Sequence, residues 1–337
     1  MSNLKRNAEL MKQQTIGVEI EMGKISKQTA CKIVSDYFRS TYFIDSPVVH
    51  EGRHHDNWAC YGRPATGTTQ PRKWQFMDDG SAPGDWGRIT CEMVTPILHY
   101  DDIEDLQAIV RLLRENGARS GAHWNSGVHI HVGADFDTPN GQTTKSVINL
   151  TNLIASHQRF LCQALAVTPS RQRQWARFVE PTFLDTINGN RRPKNKTELE
   201  RAWYGRTGYH EHYDGTRYHL LNLHAIWDKG TIEFRCFEFH NNLHAGELKA
   251  WIQLCLAMCS YVKLTRHCSP TEIDTSNQKY AMKNWLNNMG LIGDEFKTAR
   301  KMLTKHLKGD MGSKVVRVSN LDDLDLDTRV DAEEFHY

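Results

Sequence analysis

The chain has 337 residues, with 42 basic and 40 acidic side chains, and 39% of its residues are hydrophobic. This balance is typical of a folded protein with one large domain or two small ones, and the near-neutral charge argues against a nucleic-acid partner. No apolar run approaches the ~20 residues of a membrane span, and the N-terminus lacks the apolar core of a signal peptide. The eight cysteines form no CxxC pair, so we expect a cytoplasmic protein with reduced, mostly buried thiols.

The first part of the chain mixes strands with two helices. β-Branched residues and period-two alternation predict a strand at 15–22, and apolar spacing predicts a helix at 26–40. Short strands are predicted within 43–52, 57–62 and 73–78, a further strand at 88–96, and a helix at 101–116. The strand at 88–96 stops at Pro96, and the helix has an acidic first turn with Gly117 just past its end.

The second part begins with the strand GVHIHVGA at 127–134. Helices are predicted at 143–167, 243–264 and 294–307, and strands at 217–225 and 230–239. Residues 170–216 are predicted to be irregular, apart from a short helix at 196–203. The mixture indicates an α+β fold, with a mostly antiparallel curved sheet and helices on one face. We expect an N-terminal extension at 1–14, one domain at 15–310, and a partly disordered acidic tail at 311–337.

Four predicted strands share an unusual two-sided pattern. In the first, Ile16, Val18, Ile20 and Met22 point to one face and Gly17, Glu19 and Glu21 to the other. The same alternation places apolar residues opposite polar ones in the other three strands, where the polar side chains are Glu92, His129, His131, Glu233 and Arg235. A solvated sheet face is the simplest alternative, but such faces usually carry lysine, which these segments lack. Because all four strands carry carboxylate, imidazole or guanidinium groups on one face, the pattern indicates a cation site.

The ligand types indicate which cation. Zinc prefers nitrogen and sulfur ligands, whereas hard oxygen ligands suit Mg²⁺ or Mn²⁺. The set is dominated by carboxylates, so we expect Mg²⁺ or Mn²⁺, as two ions that bridge phosphates. Mg²⁺ is seldom bound by an all-protein cage, and its presence suggests a phosphate substrate such as ATP.

Six segments, in order, resemble the putative amidoligase family of carboxylate–amine ligases, which has a glutamine-synthetase-like fold. They lie between about residues 15 and 264 and read GVEIE, DDGS, CEMVTPIL, GVHIHVG, RYHLLNLHA and TIEFRCFEF. The resemblance implies an ATP-dependent ligase that phosphorylates a substrate carboxylate. An amine then attacks the acyl phosphate, and an amide forms.

The resemblance also implies roles for the residues of the polar face. Glu19 and Glu21 would each serve one metal ion, and the remaining metal ligands would be Glu92, Glu233 and at least one of His129 and His131. Either histidine would otherwise reach the ATP phosphates. The catalytic set would comprise Glu19, Glu233 and Arg235.

Five further positions match the family with roles outside metal binding. Arg235 would face the transferring phosphate, and Arg217 and Asn222 lie where the family carries substrate or nucleotide contacts. Asp79 and Ser81 match an Asp-Gly-Ser turn that borders the substrate pocket. The aromatic segment 203–218 is either a lid over the amine pocket or a packed surface loop.

Other functions remain open from the residues alone. A metal-bound nucleotide would equally serve a kinase. A zinc or iron hydrolase or oxygenase would use His129, His131 and a glutamate around one ion. A non-catalytic relative would bind a nucleotide or a protein partner. The acid, the amine, whether they are small molecules, peptides or proteins, and the oligomeric state are not predicted.

Overall fold

The computed structural model describes residues 3–52, 56–78, 89–136, 138–208 and 211–312. The strands are β1 (Ile16–Met22), β2 (Val49–Glu51), β3 (Asn57–Gly62), β4 (Arg72–Met77), β5 (Cys91–Val94), β6 (Val128–Gly133), β7 (Leu221–Asn222) and β8 (Thr231–Phe237). The α-helices are α1 (Asn3–Lys12), α2 (Lys27–Tyr42), α3 (Ile103–Glu115), α4 (Thr144–Leu165), α5 (Pro169–Gln174), α6 (Pro181–Asn188), α7 (Lys196–Tyr204), α8 (Ala225–Asp228), α9 (Ala245–Leu264), α10 (Gln278–Asn288) and α11 (Lys297–Leu303).

The strands form one eight-stranded sheet in the order β2-β3-β4-β5-β1-β6-β8-β7. Every pair of neighbouring strands in this described sheet is antiparallel. This confirms two parts of the predicted architecture, the mixed α and β content and the antiparallel sheet. Strand β1 lies inside the sheet between β5 and β6, so its side chains have neighbours on both sides.

The apolar row of β1 lies in the protein core. Ile20 pairs with Met93 of β5 and with Val128 of β6, and all three side chains are fully buried. Helix α2 packs against this face further along the sheet, where the Phe38 and Trp74 ring centroids are 5.5 Å apart. Burying this row against helices gives the sheet its main hydrophobic stabilisation and leaves its opposite face for polar side chains.

Local capping signals explain where two of the predicted helices begin. The Ser26 hydroxyl accepts a hydrogen bond from the Thr29 N–H at the start of α2, at 3.1 Å. The Thr143 hydroxyl does the same for the Ser146 N–H at the start of α4, also at 3.1 Å. Each side chain satisfies a backbone donor that the first helical turn leaves without a partner. The predicted bounds of both helices therefore differ from the observed ones by only a few residues.

The prediction of irregular structure for 170–216 was wrong in part. Helix α7 was expected, but α5 and α6 were not. Both begin with a proline, Pro169 and Pro181, and α5 is capped by the Thr168 hydroxyl. Proline favours the first helical turn because the missing N–H is not needed there. Helices of six and eight residues are too short to show a clear apolar period.

Two other predicted elements are shorter than expected. The strand predicted at 217–225 is reduced to β7, followed by α8, because the chain turns at the sheet edge. The helix predicted at 294–307 starts with the 3₁₀ turn Asp294–Phe296 and continues as α11, which ends at Leu303. Helix α10 was not predicted.

The first described residues pack on the rest of the domain. Met11 of α1 is 1% exposed, and the Asn7 amide donates a 2.6 Å hydrogen bond to the Met289 carbonyl. The eight cysteines are unpaired, and all but Cys162 are buried. Within the described ranges, the helices are too short or too polar to cross a bilayer. Residues 313–337 of the expected acidic tail lie outside the described residues.

Candidate functional site

The polar sides of β1, β5, β6 and β8 meet on one face of the sheet. Strand pairing places Glu19 opposite His129, His131 opposite Glu233, and Glu21 opposite Glu92. The side chains of Glu19, Glu21, His129, His131, Glu233 and Arg235 are 13% exposed or less. A solvated sheet face would expose these groups, so that alternative does not describe this face. Groups 110 residues apart in the chain form one buried cluster.

Glu19 lies at the centre of the cluster. Its Oε2 atom is 3.0 Å from His129 Nδ1, and its Oε1 atom is 3.3 Å from His131 Nε2. Glu233 Oε1 lies 3.6 Å from His129 Nδ1 and 3.9 Å from His131 Nε2. The two histidines of the HxH pair thus face the same carboxylates from neighbouring positions on β6.

Two sets of side chains bring potential metal ligands together. Glu19, His131 and Glu233 form one set, and Glu19, Glu92 and His129 form the other. Within each set, one ligand atom from each residue lies within 4.8 Å of the others. Each set offers two carboxylates and one imidazole, a donor combination that suits a hard divalent cation with some nitrogen ligation.

Glu21 belongs to neither of these described sets. Its Oε2 accepts a hydrogen bond from the Gly127 N–H, and its Oε1 is 3.7 Å from His129 Nε2. The resemblance assigned Glu19 and Glu21 to different ions, whereas the geometry makes Glu19 common to both sets. Glu21 anchors the start of β6 beside them.

His131 has the hydrogen bonding expected of a metal ligand. Its Nδ1 lies 2.9 Å from Thr231 Oγ1, and among the described residues its buried Nε2 makes no hydrogen bond. The nearby Glu19 Oε1 lies 3.3 Å from this Nε2 atom, within ion-pair distance. Ligand histidines usually bind metal through one ring nitrogen while a neighbour holds the other. Thr231 can hold His131 in this way, so the residues fit a divalent cation.

Both oxygens of Glu233 have partners. Arg235 Nη1 lies 2.6 Å from Glu233 Oε1, and Asn222 Nδ2 donates a 2.6 Å hydrogen bond to Oε2. The structure therefore brings together Asn222, Glu233 and Arg235, all named from the sequence. Arg235 is 1% exposed, and its guanidinium carbon is 5.7 Å from the centre of the Tyr218 ring.

A family model described as "Putative amidoligase enzyme" matches residues 12–259. The chain belongs to this amidoligase family. A search of curated proteins gives no match. The family model covers most of the chain. It confirms the family inferred from the six sequence segments. Membership indicates an enzyme that forms amide bonds.

Electrostatic interactions within the cluster keep Glu19 and Glu233 ionised. Burial opposes the charge on Glu19, but His131, His129 and Lys229 outweigh it and hold the pKa of Glu19 well below its ordinary value. Burial likewise opposes the charge on Glu233, while Arg235 and the two histidines lower its pKa. Burial, with a contribution from Arg235, also lowers the pKa of His129. Ionised carboxylates beside a neutral imidazole are the protonation states that bind metal.

Two cationic residues of the amidoligase site were missed in the sequence. Arg171 of α5 is 4% exposed, and its Nη2 donates a 3.0 Å hydrogen bond to the Arg235 carbonyl. Lys229 Nζ lies 2.9 Å from Glu19 Oε1. Neither residue lies on the strand faces that revealed the other groups. A side chain at Gly127 would overlap the Arg171 guanidinium, but this contact depends on the fold and gives no signal in the sequence.

The remaining predicted positions lie at the edge of the site or outside the described residues. Arg217 Nη1 donates a 3.2 Å hydrogen bond to the His212 carbonyl, and its guanidinium lies over the Tyr213 and Tyr218 rings. Asp79 and Ser81 lie outside the described residues.

A hydrogen bond joins the two ends of the segment 203–218, and its last residue contacts the cluster. Trp203 Nε1 donates a 2.9 Å hydrogen bond to Thr216 Oγ1, and Tyr218 packs on Arg235. The end of the segment therefore covers the arginine of the cluster.

Proposed function

We propose that this amidoligase is an ATP-dependent carboxylate–amine ligase with a glutamine-synthetase-like fold, in which the polar face holds Mg²⁺ or Mn²⁺ and the phosphates of ATP. The observation that carries the proposal is the pair of carboxylate-rich ligand sets that share Glu19. Two divalent ions side by side are a common arrangement for phosphate chemistry. Family membership supplies the amide-forming reaction class.

The proposed reaction has two steps. A carboxylate oxygen of the acid attacks the γ-phosphorus of ATP, the bond to the β-phosphate oxygen breaks, and ADP leaves. The amine then attacks the carbonyl carbon of the acyl phosphate, loses a proton, and displaces inorganic phosphate. The bound ions would neutralise charge on the phosphate oxygens during the first step.

The protein side chains have separable roles in this scheme. Glu19, Glu92, Glu233, His129 and His131 would hold the ions. The Arg235 guanidinium supplies positive charge beside them and would stabilise the phosphoryl group in transfer. Its pKa stays above the ordinary value because the Glu233 carboxylate outweighs the effect of burial.

The residue geometry does not favour the alternative hydrolase or oxygenase. That enzyme needs His129, His131 and a glutamate around one ion. Among the described residues, His129 and His131 fall in different ligand sets, each with two carboxylates. Tightly bound stoichiometric zinc or iron in the purified protein, without nucleotide binding, would support the alternative.

A hydroxamate assay tests the proposed reaction. The protein is incubated with ATP, Mg²⁺, hydroxylamine and a panel of carboxylic acids, and both hydroxamate and ADP are measured. We expect both products with at least one acid, and their loss in Glu19→Ala and Glu233→Ala. A kinase that phosphorylates an alcohol or guanidino group would release ADP without hydroxamate, and a non-catalytic relative would bind nucleotide without releasing ADP. Either result would overturn the proposal.

A further inference from the structure

A cavity of about 400 Å³ adjoins one end of the polar face. Its walls include Glu19 and His131, two members of one ligand set, together with Lys229. Pro96 and Ile97 contribute apolar surface on another side. The volume lies in the range of small-molecule sites, and mixed apolar and polar walls are typical of them.

Gly17 lines the cavity and leaves the polar row of β1 without a side chain at this position. Gly17 precedes Glu19 on the same face and pairs with His131. A Cβ atom at position 17 would lie 3.3 Å from His131 Cβ, closer than ordinary contact. Any larger residue would occupy the space beside His131. The glycine therefore keeps open a volume next to the ligand sets.

The order of residues along β8 gives the site two different ends. Thr231 lies at the cavity, Glu233 lies among the ligand sets, and Arg235 lies beyond them. Successive residues on one face of a strand are about 6.5–7 Å apart. If the phosphates lie over the ions and Arg235, the cavity is at the opposite end, where an acid can approach the γ-phosphorus.

Lys229 lines the cavity and also contacts Glu19, which belongs to both ligand sets. Its side chain is 36% exposed, and its ammonium pairs with the Glu19 carboxylate. Among the described residues that line the cavity, it is the one lysine or arginine, and the carboxylates of Glu19 and Asp135 lie in the same walls. A divalent ion on Glu19 would take over part of the charge that Lys229 now neutralises. The ammonium would then be available to another anion in the cavity.

We propose that this cavity binds the acid substrate, a small carboxylic acid, and that Lys229 pairs with its reacting carboxylate. The inference rests on the proposed ligase function and adds to it the position of the acid and a specificity-determining residue. The apolar wall at Pro96 and Ile97 would limit the length of the acid. Lys229 would hold the carboxylate beside the ions without itself binding metal.

Equilibrium binding tests this without requiring turnover. Acetate, succinate, glutarate and L-glutamate are titrated by calorimetry into the full chain with Mg²⁺ and ADP present. We expect at least one acid to bind, and Lys229→Met to weaken it about tenfold or more, as for loss of a hydrogen bond to a charged group. Lys305→Met is the matched control, because Lys305 is 44% exposed and pairs with Glu247 away from this face.

Two further measurements test whether the weaker binding in Lys229→Met arises at the acid-binding cavity. Ile97→Trp adds bulk at a side chain that is 67% exposed; we expect it to exclude glutarate and L-glutamate more strongly than acetate. Mn²⁺ stoichiometry, followed by electron paramagnetic resonance, should be unchanged in Lys229→Met. If the ADP affinity falls in place of the acid affinity, Lys229 serves the nucleotide and the inference is wrong.

The remaining outcomes separate this inference from the ligase proposal. Absence of acid binding to the wild type, or equal binding to wild type and Lys229→Met, would overturn the inference while hydroxamate formation upheld the ligase. Acid binding through Lys229 without hydroxamate would uphold the cavity assignment and overturn the ligase.

Discussion

Asn222 donates a 2.6 Å hydrogen bond from Nδ2 to Glu233 Oε2, while Arg235 occupies the other oxygen of the same carboxylate. Asn222 belongs to the two-residue edge strand β7, and Glu233 to the neighbouring β8. The edge strand therefore orients a carboxylate of the ligand set. Groups that orient metal ligands commonly affect metal affinity almost as much as the ligands do.

Replacing Asn222 by Asp tests this orientation. The substitution conserves shape but places a second carboxylate against buried Glu233 and removes the donor. We expect Mn²⁺ affinity to fall about 10–100-fold and the free energy of unfolding to fall by about 1–3 kcal/mol, measured by electron paramagnetic resonance and denaturant titration. Asn190→Asp, at an exposed residue just past the end of α6, should change neither. Unaltered Mn²⁺ binding in Asn222→Asp would contradict the role.

The two glutamates of the first strand should behave differently. Glu19 is common to both ligand sets, whereas Glu21 is in neither. Glu19→Gln should reduce the affinity for both ions, by about 100-fold or more, since it removes a direct ligand charge. Glu21→Gln should retain the wild-type number of bound Mn²⁺ ions, measured by equilibrium dialysis. Loss of one ion in Glu21→Gln would instead support the separate assignment of the two glutamates.

Gly127 should not tolerate a side chain. A Cβ atom there would lie 1.9 Å from Arg171 Nη2, and the buried guanidinium has little space to move. We expect Gly127→Ala to lower the free energy of unfolding by about 1–3 kcal/mol through overpacking. Gly215→Ala is the control, since a Cβ at that position meets nothing within 4 Å.

A double variant separates this clash from a backbone effect. Because Arg171→Ala removes the group that the new methyl would overlap, the double variant should lose less free energy of unfolding than the sum of the two single variants in denaturant titrations. Strict additivity would mean that the two residues do not compete for space.

Stability should decrease in acid because of His157. Burial lowers the pKa of His157 to about 4, and its ring stacks on Trp285 with centroids 4.2 Å apart. The folded protein therefore favours the neutral ring, while the unfolded chain takes up a proton near the ordinary value of about 6.5. This contribution is fully present above that value and is lost as the pH falls towards 4, with a total of about 3 kcal/mol.

Thermal or denaturant unfolding between pH 7 and 4 measures this loss. His157→Gln should be less stable at pH 7 and should lose less stability over the same interval, whereas exposed His267→Gln should follow the wild type. An equal pH dependence in wild type and His157→Gln would show that other groups dominate the acid response.

The part of the site that lies on strands could be predicted from the sequence. The alternation of Glu19, His129 and Glu233 with apolar neighbours is a local property, and antiparallel pairing is sufficient to bring such faces together. The sharing of Glu19 between two ligand sets depends on strand register. The separate role of Glu21 depends on the Gly127 N–H, and neither fact appears in a local pattern.

The two cationic side chains that lie outside the strands could not be predicted. Arg171 lies on a six-residue helix, and Lys229 lies in the connection between α8 and β8. The residues around them in the sequence show no hydrophobic periodicity that would indicate which side chains share a face. Only the path of the chain around the sheet places them at the cluster, and that path is determined by packing over the whole domain.

Strand β1 is paired on both sides, and its two faces carry entirely different side chains. Its pairing register therefore determines both which side chains lie in the core and which lie on the polar face. A shift of one residue would turn Glu19 and Glu21 towards the helices and bring Val18 and Ile20 to the polar face. An insertion or deletion within this strand could therefore not be compensated by substitutions at the site alone. Evolution can change what this enzyme recognises at its surrounding loops, but the central strand can be neither lengthened nor shortened without loss of the fold.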